Sequence, residues 1–344
     1  MTEHPLIRAV EQGSTKDRAT LLANVRRLAD EAGLAVALRA LFRQQVRSGF
    51  VLFDPGAGGE HRVLEDEVDD ARFVVQWNPE RRLRLDHDIL MERGIVCPTD
   101  VPLINPDARG VPCYLCRHNI EHQNPAEVLL GLELGSIPFY LGANFAPIGA
   151  HHFTVMSAEH EPQRYQRGLL EAALDLIDRT NGEFRVLYNG RAGASIEAHL
   201  HLHATTTELP VEAATSDDHI ELSKVALRRP AYPTPLWLLE SASAAALIET
   251  GDEMLRRWHA LDPEHHSENL LITRTAGEYR LFIYPRDRRR RTAPGRRGAL
   301  ASFELSGLIA IPRVEDRAVF ESVRAADMRA LIGGVAPERD LDWP

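Results

Sequence analysis

Leucine and alanine recur at three- and four-residue steps from about Lys16 to Val46, among arginines and acids. That spacing predicts one or two amphipathic helices serving as a lid or packing element. Phe73 to Trp77 is an apolar run halted at Asn78-Pro79, the pattern of a strand closed by a proline turn, and a charged stretch and a Pro/Asn/Asp-rich loop from Pro98 to Pro112 follow. Beyond Cys113 the pattern becomes regular. Ile137–Leu141 and His152–Met156 read as strands around a turn at Asn144–Gly149, Arg164–Thr180 as a helix with apolar residues on one face, and Phe184–Tyr188 and His199–Ala204 as two further strands joined by the turn Asn189–Ala194. The order strand, strand, helix, strand, loop, strand then returns. Pro235–Leu239 matches the second strand, Ala242–Leu261 the helix, Asn269–Thr273 the third strand and Tyr279–Tyr284 the last. Where the first copy carries His-Leu-His-Leu-His, the second carries Arg-Leu-Phe-Ile-Tyr. The expected fold is α+β, internally duplicated, with an N-terminal helical segment (1–70), a half that kept reactive histidines (71–210) and a degenerate half (211–344).

Composition narrows the class. The 344 residues, 44% of them hydrophobic and 26% charged, describe an ordinary soluble chain long enough for one large domain or two fused units. No apolar run is long enough to span a bilayer and no basic-then-apolar leader opens the chain, so no membrane is expected as a partner and the expected address is the cytoplasm. A net charge of −10 argues against a protein that coats nucleic acid. Among the 40 basic residues only Lys16 and Lys224 are lysines. The planar guanidinium fork suits phosphate oxygens, although a GC-rich genome is the better account of the overall bias.

Three cysteines cannot form a fully paired disulfide set. Cys113 and Cys116, two residues apart in between, can chelate one tetrahedral ion. A metal-free buried pair and a redox pair are the alternatives.

The segment Gly193-Ala-Ser195-Ile-Glu-Ala-His199-Leu-His201-Leu-His203 carries the most chemistry. On a strand the three imidazoles share one face while Leu200 and Leu202 turn to the core. Such a face fits a metal site, a structural cluster, or nucleophilic attack on phosphorus by a neutral imidazole. The preceding Gly193-Ala194-Ser195 turn favours the last, because a glycine permits close approach and turn amides attract anions. Asn189 opens the same turn. In the arginine run that ends the last strand of the second copy, most side chains are expected to be solvated, with Arg286 the one chosen to reach a phosphate. Asn78 and Arg81 are weaker candidates, and the paired histidines His151-His152 and His265-His266 read as incidental.

This segment resembles the active-site signature of the histidine-triad superfamily, in the branch of galactose-1-phosphate uridylyltransferase, diadenosine tetraphosphate phosphorylase and GDP-hexose phosphorylases. Ala143–His160, Phe303–Asp316 and Pro112–Asn119 extend the resemblance over about Phe73 to Asp316. It implies two histidine-triad-like halves, antiparallel sheets with packed helices, and a nucleotidyl group carried on the middle histidine, His201. His203 stands where transferases of the branch usually have glutamine and small hydrolases have histidine. The resemblance also implies that His160 and His199 complete a structural zinc site with Cys113 and Cys116. The implied substrate is a nucleoside diphosphate sugar or dinucleoside polyphosphate, and the acceptor is inorganic phosphate or a sugar phosphate. His201, His203 and Ser195 would act in catalysis, and Gly193, Ala194, Asn189, Arg286 and Asn78 would hold the substrate. Hydrolysis, and a zinc-stabilised protein that binds nucleotide without turnover, are the other two readings. A homodimer is compatible with the resemblance.

Overall fold

A computed structural model describes residues 4–69, 71–85, 87–214, 216, 218–293 and 298–338. Three helices open the chain: α1 (Pro5–Glu11), α2 (Arg18–Ala32) and α3 (Leu34–Arg47). Gly33, at φ +94°, breaks the path between α2 and α3 so that both turn leucines inward. The remaining helices are α4 (His87–Glu92), α5 (Arg117–Gln123), α6 (Gly168–Arg179), α7 (Ala244–Leu261), α8 (Ser302–Leu305), α9 (Arg317–Ser322) and α10 (Ala325–Gly333).

Strands β1 (His61–Asp66), β2 (Ala71–Trp77) and β13 (Leu308–Ile311) make a small sheet, with β13 parallel to β2. The expected boundary at 70/71 falls inside the β1–β2 hairpin. The others are β3 (Leu130–Leu134), β4 (Ile137–Ala143), β5 (Phe153–Ser157), β6 (Arg185–Asn189), β7 (His201–Thr205), β8 (His219–Leu222), β9 (Val225–Arg228), β10 (Trp237–Ser241), β11 (His266–Thr275) and β12 (Glu278–Asp287). They lie in the order β3-β4-β5-β7-β6-β11-β12-β10-β9-β8, antiparallel throughout.

That order is palindromic. β3 to β7 on one side answer β8 to β12 on the other, and α6 and α7 each follow the third strand of their set. The repeat seen in the sequence is therefore present, but the sheets of the two halves run together through β6 and β11, with Asn189 opposite Asn269 at the join.

Each face of the large sheet has its own core. One carries α1 to α3, α6 and α7 over Leu200, Leu202, Leu270 and Ile283. The other carries the small sheet and the C-terminal helices over Leu187, Leu271 and Phe282. Alternation along β7 thus sends Leu200 and Leu202 to the first core and His201 and His203 to the second face. The expected helix from Arg164 begins only at Gly168, because 158–167 forms a strap over the start of β7.

Leu202 is 1% exposed, so Leu202→Ala is expected to lower unfolding free energy by about 2–5 kcal/mol. Val314→Ala, at a side chain 66% exposed, is expected to stay within about 0.5 kcal/mol of wild type. Denaturant titration measures both, and a Leu202→Ala loss no larger than that of Val314→Ala would contradict this packing.

Candidate functional site

His199 lies two residues before β7 rather than in it, and this difference matters chemically. Its backbone carbonyl is free of the sheet ladder and accepts a hydrogen bond from His201 Nδ1 at 2.8 Å. With its proton on Nδ1, His201 keeps a lone pair on Nε2. Burial lowers the His201 pKa to about 4, so the ring is neutral at pH 7.

The strap holds this strand from outside. Gln163, fully buried, accepts from His201 N through Oε1 at 2.8 Å and donates through Nε2 to the carbonyls of His201 (3.0 Å) and Asn189 (2.7 Å). Leu200 N donates to Glu161 O, and Gln163 N to Glu197 O. One buried amide therefore fixes the backbone on both sides of His201. Gln163 was not legible as a site residue, since nothing about a lone glutamine near a proline signals a clamp.

His203 is oriented by His152. Ile148 N donates to His152 Nδ1 at 3.2 Å, so that ring carries its proton on Nε2, which lies 3.1 Å from His203 Nδ1. His203 then presents Nε2–H as a fixed donor beside the His201 ring, 5.3 Å away between centroids and perpendicular to it. His152, which reads in the sequence as incidental, is 1% exposed and belongs to the site. It leads into β5, which lies beside β7 in the sheet, a pairing that could not be read from the chain order.

Asn78 and Arg81 brace the turn that carries His152. Asn78, 4% exposed, donates to Gln76 and to Pro147 O, and Arg81 donates to Ala146 O. Asn78 is thus a structural bracket facing no solvent.

Cys113, Cys116, His160 and His199 form the expected cluster, their donor atoms all within 4.8 Å of one another. Cys113 Sγ lies 3.4 Å from His199 Nδ1, and Cys116 Sγ 3.3 Å from His160 Nδ1 and 3.6 Å from His199 Nδ1. Ligands at about 2.0–2.3 Å from a tetrahedral ion sit about 3.3–3.8 Å apart, so these distances are its edges. His199 Nε2 donates to Ser157 O at 2.9 Å, which leaves Nδ1 unprotonated and aimed at the thiols. Burial pushes the Cys113 thiol up to about 11, and only a cation among the four groups would reverse that. Cys97 stands apart from the cluster.

The turn before the histidines differs from its expected role. The amides of Gly193 and Ala194 donate to Gly190 O and that of Ala192 to Ser267 Oγ, so these three N–H groups are already taken. Gly193 is needed for a different reason, because a Cβ there would sit 2.4 Å from Asn269 Nδ2. Ser195 is exposed. Asn189 is buried and accepts from Asn269 Nδ2 (2.6 Å) and from Ser302 N (2.7 Å), knitting β6, β11 and α8 together under the turn.

Arg286 is also a correction. It is 0% exposed and donates to Asn269 Oδ1 (2.8 Å) and Leu300 O (2.9 Å), so it braces this network and reaches no surface ligand. Burial lowers its pKa to about 10. The rest of the run divides. Arg289 pairs with Asp287 and Asp262, and Arg290 with Glu338, whereas Arg288 and Arg291 turn to Glu197 on the histidine loop. His265 and His266 bond locally, to Asp262 and to Trp258 O. No helix among the described residues is long and apolar enough to cross a membrane.

The family described as a domain of unknown function (DUF4922) matches residues 59–206, the stretch that holds Cys113, Cys116, His152, His160, His199, His201 and His203. No curated protein matches the chain. Among solved structures, yeast Ap4A phosphorylase Apa2 is similar at 15% identity over 86% of this chain and 97% of that one, with a TM-score of 0.56. The same enzyme with Ap4A bound gives a TM-score of 0.54 at 15% identity, and with AMP bound 0.52 at 16%, each again over 86% of this chain and over 97% and 96% of that one. The chain therefore has that fold, as the resemblance to the histidine-triad branch implies.

Two outcomes test the site as built. Elemental analysis is expected to find about one tightly held metal ion per chain, lost in Cys116→Ser together with a lower thermal midpoint, and kept in Cys97→Ser. Full retention in Cys116→Ser would dissolve the cluster. The second concerns pH. Burial, then His152, His201 and Arg81, pushes His203 well below the ordinary imidazole value. The unfolded chain, with an ordinary pKa of about 6.5, takes up a proton that the folded chain refuses. Stability from this group is complete above about pH 6.5 and declines below it, by up to about 1.4 kcal/mol per pH unit. Denaturation midpoints between pH 7 and 5 should therefore fall more steeply for wild type than for His203→Gln, and parallel curves would refute the assignment.

Proposed function

We propose that the chain is a nucleotidyltransferase of phosphorylase type, acting on a dinucleoside polyphosphate or nucleoside diphosphate sugar through a nucleotidyl-histidine. The observation that carries the reading is the state of His201, neutral, with Nδ1–H tied to the His199 carbonyl and Nε2 left as the nucleophile. Nε2 attacks the α-phosphorus, the bond to the bridging oxygen breaks, and the distal phosphate-bearing part leaves. An oxygen of inorganic phosphate or of a sugar phosphate then attacks the same phosphorus, releasing Nε2 and the new nucleotide. His203 Nε2–H donates to a non-bridging oxygen as charge builds on it. Residues 71–210 supply this chemistry and 211–344 the supporting half.

Cys113, Cys116, His160 and His199 hold a zinc ion in this reading, a closed Cys2His2 set whose part is structural. It would lock the strap and the residue whose carbonyl orients His201. The neighbours with AMP and Ap4A bound make adenine dinucleotides the first substrates to try. Water as acceptor is the second reading, favoured by an imidazole at position 203.

Incubation with Ap4A and other nucleotides, followed by mass spectrometry, is expected to reveal an acid-labile nucleotidyl adduct on His201 and nucleoside diphosphate release that depends on phosphate. His201→Gly should lose both, with turnover down about a thousandfold or more. Monophosphate release that ignores phosphate would select hydrolysis, and full activity in His201→Gly would end the proposal.

A further inference from the structure

The loop between β6 and β7 carries an imbalance of charge that the chemistry above leaves unused. A single carboxylate, Glu197, is met by three guanidinium groups. Arg291 Nη1 lies 2.8 Å from Oε1, Arg288 Nη2 3.2 Å from Oε2, and Arg191 Nε 3.8 Å from Oε2. Arg164, exposed on the strap, has no ion pair among the described residues and lies close enough to depress Arg191. Burial, then Arg288 and Arg164, pulls the Arg191 pKa below its usual value, which outweighs the help Glu197 gives. Arg288 Nε–H is buried without a hydrogen-bond partner among the described residues. In a chain of net charge −10, this is a local surplus of cations with unused donors.

The cluster is also tied to the nucleophile. Glu197 O accepts from Gln163 N, whose side chain clamps His201, and Arg291 Nη2 donates to Ala194 O at 2.9 Å. A bundle of guanidinium groups around two carboxylate oxygens has the geometry that also receives phosphate oxygens, which accept the same forked donors and carry more charge.

We propose that Arg191, Arg288 and Arg291 form an anion subsite for a phosphate group beyond the α-phosphate, and that Glu197 occupies this subsite until the phosphate displaces it. The degenerate half thus contributes Arg288 and Arg291 across the join, and Glu197 acts as a built-in competitor that sets how highly charged a ligand must be to enter. A terminal phosphate or polyphosphate clears that threshold and a carboxylate does not. The inference deepens the proposed function by naming what binds the distal phosphates or the attacking phosphate.

Calorimetric titration of the full chain with sodium tripolyphosphate, and separately with inorganic phosphate, tests it without turnover. Tripolyphosphate tightest identifies the distal chain of the substrate as the occupant, and inorganic phosphate of equal strength identifies the acceptor. Glu197→Gln is expected to tighten either ligand about two- to fivefold. Arg191→Ala and Arg291→Ala should each weaken it about tenfold or more, with Arg191→Lys recovering only part of the loss. Arg289→Ala, whose partners are Asp287 and Asp262, should bind as wild type. Binding indifferent to Arg191→Ala, Arg191→Lys and Glu197→Gln overturns the proposal, as does weaker binding in Glu197→Gln. The His201→Gly variant should bind tripolyphosphate normally, so a failed adduct experiment and a failed anion subsite remain distinguishable.

Discussion

Everything at the candidate site depends on one hydrogen bond between residues two apart, from the His201 ring to the His199 carbonyl. That contact sets the tautomer of His201, and it exists because the chain at His199 has not yet joined the sheet. Were residue 199 paired in the ladder, its carbonyl would be spent on a neighbouring strand. The side chain of His199 meanwhile points into the Cys113, Cys116 and His160 cluster, with its far nitrogen bonded to Ser157 O. One residue thus serves the Cys2His2 cluster through its ring and the His201 ring through its backbone, and the placement of either fixes the other.

A second constraint is the join of the two halves. β6 and β11 pair with Asn189 opposite Asn269, and the polar network they begin is closed by Ser302 and the buried Arg286. A buried guanidinium without a carboxylate partner is costly; Nη1 donates to Asn269 Oδ1 and to the carbonyl of Leu300, while Nε–H has no hydrogen-bond partner among the described residues. The outcome is a rigid floor under the turn at 190–194, which explains why that turn satisfies its own amides instead of offering them outward. Past that turn, Glu197 gathers the side chains of Arg191, Arg288 and Arg291.

Pairs of imidazoles do different work according to what each faces. His201 and His203 lie on one strand with perpendicular rings and share a neutral state imposed by burial. His201 keeps a bare nitrogen because its proton is held by a carbonyl, whereas His203 keeps a proton on its outer nitrogen because His152 donates to the inner one. Acceptor and donor therefore stand side by side without any ionised group between them.

The order of elements, the repeat, the alternation that turns Leu200 and Leu202 inward, and the Cys113/Cys116 pair were all legible in the chain, whereas His160 and His199 joined that pair only through the family resemblance. Each rests on local periodicity or on residue types whose chemistry is restrictive. Gln163, His152 and Asn269 were not, because their roles come from contacts between segments far apart in sequence, and a glutamine, a histidine or an asparagine signals none of them alone. Arg286 shows the reverse case. Its place after a strand suggests a surface grip, but it is buried with Nη1 on the Leu300 carbonyl, and its half-buried neighbours Arg288 and Arg291 turn to Glu197 instead. The sequence by itself determined which residues carry reactive groups and on which face of a strand they lie, since side-chain direction follows from backbone period. Only the tertiary structure decided which nitrogen holds a proton and which amide is already satisfied, since hydrogen bonds and burial are settled by whatever segment packs opposite.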